Sequence, residues 1–92
     1  MCAAWVLPHD SVMKDFLLYH RHSPNDCAAT FAAWNGFQSP LRGTSTCSTC
    51  SFGAHEIWWN VSADDDREAL SKLPKYVAGR TVAIRVAAIE VP

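Results

Sequence analysis

The chain has 92 residues, of which 49% are hydrophobic and 18% charged, and its formal net charge is −1. Such a chain supports one hydrophobic core, is too apolar for intrinsic disorder, and lacks the positive surface charge that nucleic-acid binding requires. It also has no run of roughly 20 apolar residues that could span a membrane and no secretory pattern at its start, which predicts a cytoplasmic protein without nucleic-acid or membrane partners.

Residues 1–12 show no hydrophobic periodicity and include Pro8, so we interpret them as an irregular extension. A single domain is expected over residues 13–92. Its first strand is predicted from Asp15 to His22, because this run is rich in strand-forming residues and ends at Ser23-Pro24.

A helix is expected to follow at once. Ser23 is a good N-cap, and proline at position 24 fits the first helical turn. Gly36 supplies the stop. Cys27, Phe31 and Trp34 recur at i, i+4 and i+7, which predicts that all three face the core.

The next two strands are predicted to form a hairpin around Gly53. Thr44–Phe52 is dominated by Ser, Thr and Cys, and this weakly apolar run is typical of an edge strand. His55–Val61 contains two adjacent tryptophans and reads as a central strand. Its alternation predicts that one face is apolar and carries Ile57, Trp59 and Val61. The other face is mixed and carries Glu56, Trp58 and Asn60.

The last third of the chain predicts a helix and a strand. Ser62–Asp65 resembles a capping box, which begins a helix through Leu73 that Pro74 then interrupts, with one further turn after it. The final strand is predicted over Thr81–Ile89. Its alternation is expected to send Val82, Ile84 and Val86 inward and Arg85 outward.

The order strand, helix, strand, strand, helix, strand is that of ferredoxin-like α+β domains. Right-handed crossovers give the sheet order 4-1-3-2, with two helices on one face and the other face bare. We expect the bare face to carry the candidate ligand-binding residues Tyr19, Glu56, Trp58 and Arg85. An uncovered surface of this kind predicts a homodimer in which two sheets pair face to face.

In element order and length, residues 13–92 resemble the small dimeric α+β-barrel proteins, which include muconolactone-isomerase-like enzymes and small monooxygenases. The segments His55–Trp59 (His-x-x-Trp-Trp) and Leu73–Thr81 (Leu-Pro-x-Tyr-Val-x-x-Arg-Thr) are also similar to segments of short bacterial proteins. The resemblance to the barrel proteins implies a cavity between the bare sheet face and nearby helices or loops, which would take a small aromatic or anionic ligand.

The same topology places the end of strand one beside the starts of strands three and four. His20, His22, His55 and Arg80 are therefore expected at one rim of the sheet, where Cys50 can join them. An imidazole at this rim could act as a general base, which makes the three histidines the candidate catalytic residues and Arg80 a candidate for binding an anion. Alternatively, the histidines and Cys50 could hold zinc or iron, although no motif in the chain requires a metal.

All four cysteines are predicted to be reduced, because the chain shows no export signal. Cys47-x-x-Cys50 has no second cysteine pair, so we interpret it as two small strand residues rather than as a metal or redox motif.

Two classes of function remain. The histidine cluster favours a protein of the dimeric α+β-barrel type that binds a small organic ligand, with isomerase-like or monooxygenase-like chemistry. The alternative is a non-catalytic, homo-oligomeric binding or assembly module that uses the bare sheet face.

Overall fold

A computed structural model of the chain describes residues 13–92, so the predicted extension at 1–12 lies outside the described residues. The strands are β1 (Lys14–Arg21), β2 (Cys47–Ser48), β3 (Glu56–Ala63) and β4 (Thr81–Val86). The helices are α1 (Cys27–Ala32), α2 (Asp66–Leu70) and α3 (Lys75–Ala78). Single 3-10 turns occur at Pro24–Asp26 and at Cys50–Phe52. Across residues 13–92, no helix is long and apolar enough to cross a membrane.

The four strands form one antiparallel sheet in the order β2-β3-β1-β4. This is the predicted order 4-1-3-2 read from the other edge, so the predicted arrangement of strands is confirmed. The central pair is β1 with β3, in a register that places Leu18 opposite Trp59 and Tyr19 opposite Trp58. The fold is therefore α+β with a four-stranded antiparallel sheet.

The core lies on the side of the sheet that the helices cover. Alternate residues of β1 and β3 point to this side, and α2, α3 and the turn between them supply the opposing layer. The buried hydrophobic residues are Phe16, Leu18, Ile57, Trp59, Val61, Ala63, Ala69, Leu73 and Val77. The apolar face predicted for the third strand is thus confirmed as its core face.

Several element boundaries differ from the sequence-based expectations. The first helix begins at Cys27, after a 3-10 turn, and ends at Ala32, and the second ends at Leu70 rather than Leu73. β2 has only two residues, and Cys50 lies in a 3-10 turn instead of a strand. β4 ends at Val86 rather than Ile89, because its pairing with β1 ends where Val86 lies opposite Asp15, the second residue of β1. The second helix is capped by Asp65 and not by Ser62, since Ser62 is still paired with Asp15 in the sheet.

The predicted orientation of the fourth strand is wrong. Arg85 lies opposite Phe16, a core residue, and directly opposed residues of antiparallel strands share a face. The arginine is therefore on the covered side of the sheet, where it is exposed at the edge. Val82 and Ile84, which are 54% and 44% exposed, lie instead on the other face, which we call bare because no helix of residues 13–92 covers it. The prediction failed because it assumed that the apolar residues of an edge strand must face the core.

The Asp65 cap permits a direct test of the helix boundary. Its Oδ1 accepts a hydrogen bond of 2.8 Å from the backbone N–H of Glu68. We expect Asp65→Ala to lower the free energy of unfolding by about 1 kcal/mol, because an orphan N–H of the first turn loses its acceptor. Asp64→Ala is the control, since it removes the same charge from the neighbouring exposed residue. Equal urea midpoints for the two variants would contradict the assignment of Asp65 as the cap.

Candidate metal centre

Four segments that are distant in sequence meet at the rim where β1 ends and β3 begins. His22 follows β1, Cys27 opens α1, Cys50 lies in the second 3-10 turn, and His55 directly precedes β3. A backbone hydrogen bond of 3.2 Å from His22 N–H to the His55 carbonyl extends the β1–β3 pairing by one residue. The sheet therefore holds the two histidines side by side.

The potential ligand atoms of these residues converge on one point. His22 Nε2 lies 3.3 Å from Cys27 Sγ and 3.7 Å from Cys50 Sγ, and Cys27 Sγ lies 3.0 Å from His55 Nδ1. Ligand atoms of His22, Cys50 and His55 all fall within 4.8 Å of one another. Around a tetrahedral zinc ion, sulfur and nitrogen ligands lie about 3.3–3.8 Å apart, as follows from the Zn–S and Zn–N bond lengths. The separations between these residues are close to that spacing.

The protonation of the histidines suits metal binding. Burial lowers the pKa of His20. Burial also lowers the pKa of His22, and the adjacent His55 lowers it further. Both rings are therefore neutral at pH 7, and a neutral imidazole has the lone pair that a metal needs. Burial, together with the neighbouring Cys50, raises the pKa of the Cys27 thiol. This thiol keeps its proton until a cation displaces it.

His20, which is fully buried, fixes the orientation and tautomer of His22. The Thr81 hydroxyl donates its only hydrogen to the Val77 carbonyl at 2.7 Å. His20 Nδ1 lies 3.0 Å from this hydroxyl oxygen and 3.3 Å from the carbonyl oxygen. Neither oxygen has a hydrogen left to donate, so both can only accept from Nδ1. The hydrogen of neutral His20 is thus on Nδ1. Its Nε2 accepts from His22 Nδ1 at 3.0 Å, which leaves His22 Nε2 without a hydrogen and directed at the two thiols.

His55 has a backbone conformation that side chains rarely adopt. Its φ is +58°, and no other described non-glycine residue has a positive φ. This left-handed conformation costs on the order of 1 kcal/mol or more, and such costs cluster at functional sites. The conformation places Nδ1 against Cys27 while the backbone carbonyl binds His22, so the strain positions both groups at once.

The structure brings together most of the residues predicted at the rim, but with different roles. His22, His55 and Cys50 form one group, whereas His20 points at His22 and not at the thiols. The backbone of Arg80 pairs with Arg21 at this rim, but its guanidinium stacks over the Tyr76 ring, 3.9 Å from the ring centroid. The side chain of Arg80 is therefore not directed at the cluster.

Sequence analysis missed Cys27 as a member of the cluster. Its helical spacing with Phe31 and Trp34 indicated a core residue, whereas Phe31 is 56% exposed and Cys27 contacts both His22 and His55. A symmetrical spacing could have identified it. Four residues separate His22 from Cys27, and four separate Cys50 from His55, giving the pattern His-x4-Cys followed by Cys-x4-His.

The residues predicted to bind a ligand on the bare face form a separate group. Tyr19 and Trp58 lie side by side with their ring centroids 5.5 Å apart. The Tyr19 hydroxyl donates to the Glu56 carboxylate, and this bond is the main reason why the pKa of Tyr19 is raised. Glu56 is thus paired within the face. Arg85 does not join this group, because it lies on the other side of the sheet.

The cysteines differ in their covalent state. Cys27 and Cys50 are free thiols, whereas Cys47 is disulfide-bonded, and Cys2 lies outside the described residues. The prediction that all four cysteines are reduced is therefore wrong for Cys47. It rested on the missing export signal, which bears on the redox compartment and not on the state of an individual cysteine.

Comparisons with known proteins give no further assignment. No family profile, curated protein or solved structure matches the chain.

The hydrogen-bond chain from Val77 to His22 predicts the tautomers of two histidines. We expect His20 and His22 of the metal-free protein both to carry their hydrogen on Nδ1 at neutral pH, whereas free histidine favours Nε2. Long-range proton–nitrogen correlation spectra distinguish the two forms directly. A hydrogen on His22 Nε2 would contradict the hydrogen-bond chain, because Nδ1 would then have no hydrogen to donate to His20 Nε2.

Proposed function

We propose that this chain is a zinc-binding domain of ferredoxin-like topology, in which His22, Cys27, Cys50 and His55 hold one ion. The observation that carries the proposal is the convergence of four ligand atoms from four separate segments. Two thiolates and two imidazoles are a donor set typical of Zn²⁺, and softer sulfur ligands disfavour Mg²⁺ and Ca²⁺.

The number of ligands indicates what the ion would do. Catalytic zinc sites keep one position open for water or substrate, whereas four protein ligands complete the tetrahedron. A centre with this donor set would therefore stabilise the fold rather than activate water. His20 would support it from outside, as buried hydrogen-bond partners of ligating histidines do.

The distribution of the hydrophobic core explains why such an ion would matter. None of the buried hydrophobic residues lies between positions 23 and 56. The one buried residue of α1 is Thr30, whose hydroxyl has no hydrogen-bond partner among the described residues. Segment 23–56 thus packs against the core only through partly buried residues such as Trp34 and Leu41, and an ion bound by Cys27 and Cys50 would tie it more firmly to the sheet.

The catalytic role predicted for the histidines is a competing proposal for the same residues. A histidine that ligates zinc has no lone pair left to act as a general base, and buried His20 is committed to His22 and Thr81. For this reason we favour the metal-binding role over an isomerase-like or monooxygenase-like activity.

Cobalt substitution tests the proposed centre. We expect the purified chain, produced without a histidine tag, to bind one Zn²⁺ or Co²⁺ per molecule. The Co²⁺ form should show the visible bands of tetrahedral coordination and near-ultraviolet charge-transfer bands from two thiolates. Cys27→Ser should roughly halve the charge-transfer intensity or abolish binding, because one thiolate is lost.

Ser51→Ala is the matched control, since it removes a side-chain heteroatom from the turn that carries Cys50 without touching a ligand. Its Co²⁺ spectrum should equal that of the unmodified protein. A chain that binds no metal, or a Cys27→Ser variant with an unchanged spectrum, would contradict the proposal.

A second candidate function is homodimeric assembly through the bare sheet face, as in the α+β-barrel proteins that the chain resembles. The observation in its favour is the continuity of apolar side chains across three strands of this face. Exposed Val82 and Ile84 lie opposite Tyr19 and Leu17, and Trp58 continues the surface on β3. Pairing of two such faces would remove them from water.

Ile84→Glu tests this assembly, because it places a charge in the middle of the apolar surface. We expect the unmodified chain to sediment as a dimer at tens of micromolar and the variant to sediment as a monomer. Ile89→Glu is the matched control, since Ile89 is exposed beyond the end of β4. A monomeric unmodified chain, or equal behaviour of the two variants, would contradict the assembly.

A further inference from the structure

A cleft opens on the covered side of the sheet, between α1, the loop that follows it, and β3. It has a volume of about 230 Å³. Its lining includes one cationic side chain, that of Arg42, and the large apolar side chains of Phe31, Trp34, Leu41, Ile57 and Trp59. None of the four proposed zinc ligands lines it. The cleft therefore has a chemistry of its own, separate from the metal centre.

The walls of the cleft are mainly aromatic. The Trp34 and Trp59 rings are tilted by 47°, with their centroids 5.9 Å apart, and Trp59 is a core residue that β3 holds in place. Phe31 is 56% exposed although it lies beside these rings. Aromatic rings arranged in this way present faces and edges on which a further ring can pack.

Among residues 13–92, Arg42 supplies the one charged side chain in the lining of the cleft. One of its Nη1 hydrogens donates to the Phe37 carbonyl at 3.2 Å, which holds the side chain near the loop. A guanidinium has five N–H donors in a planar fork, so further donors can bind the two oxygens of a carboxylate. A cation at an aromatic cleft is complementary to an aromatic ring that carries an anionic group.

We propose that this cleft binds a small aromatic carboxylate, with the ring against Trp34, Trp59 and Phe31 and the carboxylate on Arg42. The volume restricts the ligand to a single ring, because pockets for drug-sized molecules occupy roughly 300–1,000 Å³. The site lies on the opposite side of the sheet from Trp58 and Tyr19, where sequence analysis placed the ligand.

Titration with benzoate tests the proposal on the full-length, zinc-supplemented protein. We expect the indole N–H signals of Trp34 and Trp59 to shift in nuclear magnetic resonance spectra, while that of Trp58 on the bare face stays unchanged. Benzamide, which has the same ring but no charge, should bind about tenfold more weakly or worse, because it loses the charge-assisted bonds to Arg42.

Arg42→Gln should weaken benzoate binding by about tenfold or more and leave the weak benzamide binding unchanged. Arg85→Gln is the matched control, since it removes the same charge from the opposite edge of the sheet. Phe31→Ala, at an exposed position where folding is not at stake, should also weaken benzoate binding. Equal binding of benzoate and benzamide, equal loss in the two arginine variants, or shifts confined to Trp58 would overturn the proposal. The absence of any shift at millimolar benzoate would overturn it as well.

Discussion

Pairing of β1 with β3 is the constraint on which the other features of this molecule depend. The register runs without a bulge from Lys14 opposite Ala63 to Arg21 opposite Glu56, and the His22–His55 backbone bond extends it. Because side chains alternate along a strand, this one register places the core-facing residues of β1 beside those of β3. It likewise places the residues of the two strands that point to the bare face beside each other. It also brings the ends of the two strands together, which is where the histidines lie.

The two ends of the covered side are stabilised by different interactions. Near α2 and α3, the sheet buries aliphatic and aromatic side chains, as in an ordinary small domain. Where β1 ends, the buried positions are His20 and, one residue beyond the strand, His22, and both need hydrogen-bond partners because an unpaired polar group in the interior is costly. Val77 and Thr81 satisfy His20, and this directs the Nε2 lone pair of His22 at the thiols of Cys27 and Cys50. In the proposed zinc-bound state, the ion would take the place of the thiol hydrogens.

The two faces of the sheet also differ in what they offer to other molecules. The bare face has an apolar centre, and its two carboxylates are hydrogen-bonded within the face, Glu56 by Tyr19 and Thr49 and Asp15 by Ser62, so it suits another flat surface. The covered face is incomplete, because α1 is short and leaves a cleft beside Trp34. A concave aromatic site suits a small molecule, whereas a flat apolar face suits a second protein chain. Assembly and ligand binding therefore need not compete for the same residues.

The element order, the strand order and the core face of β3 could be predicted from the sequence, because these depend on local periodicity and on the chirality of crossovers. The position of His22, His55 and Cys50 at one rim could be predicted as well, since the strand order follows from the element order. That Cys27 joins them and that His20 does not became apparent from the folded chain alone. The contacts of Cys27 with His22 and His55 depend on where α1 begins. The one large apolar side chain of α1, Phe31, is exposed and the buried residue is Thr30, so apolar spacing did not indicate the buried face of this helix. The orientation of Arg85 was likewise decided by its register with β1, because an edge strand with a bare face can expose its apolar side.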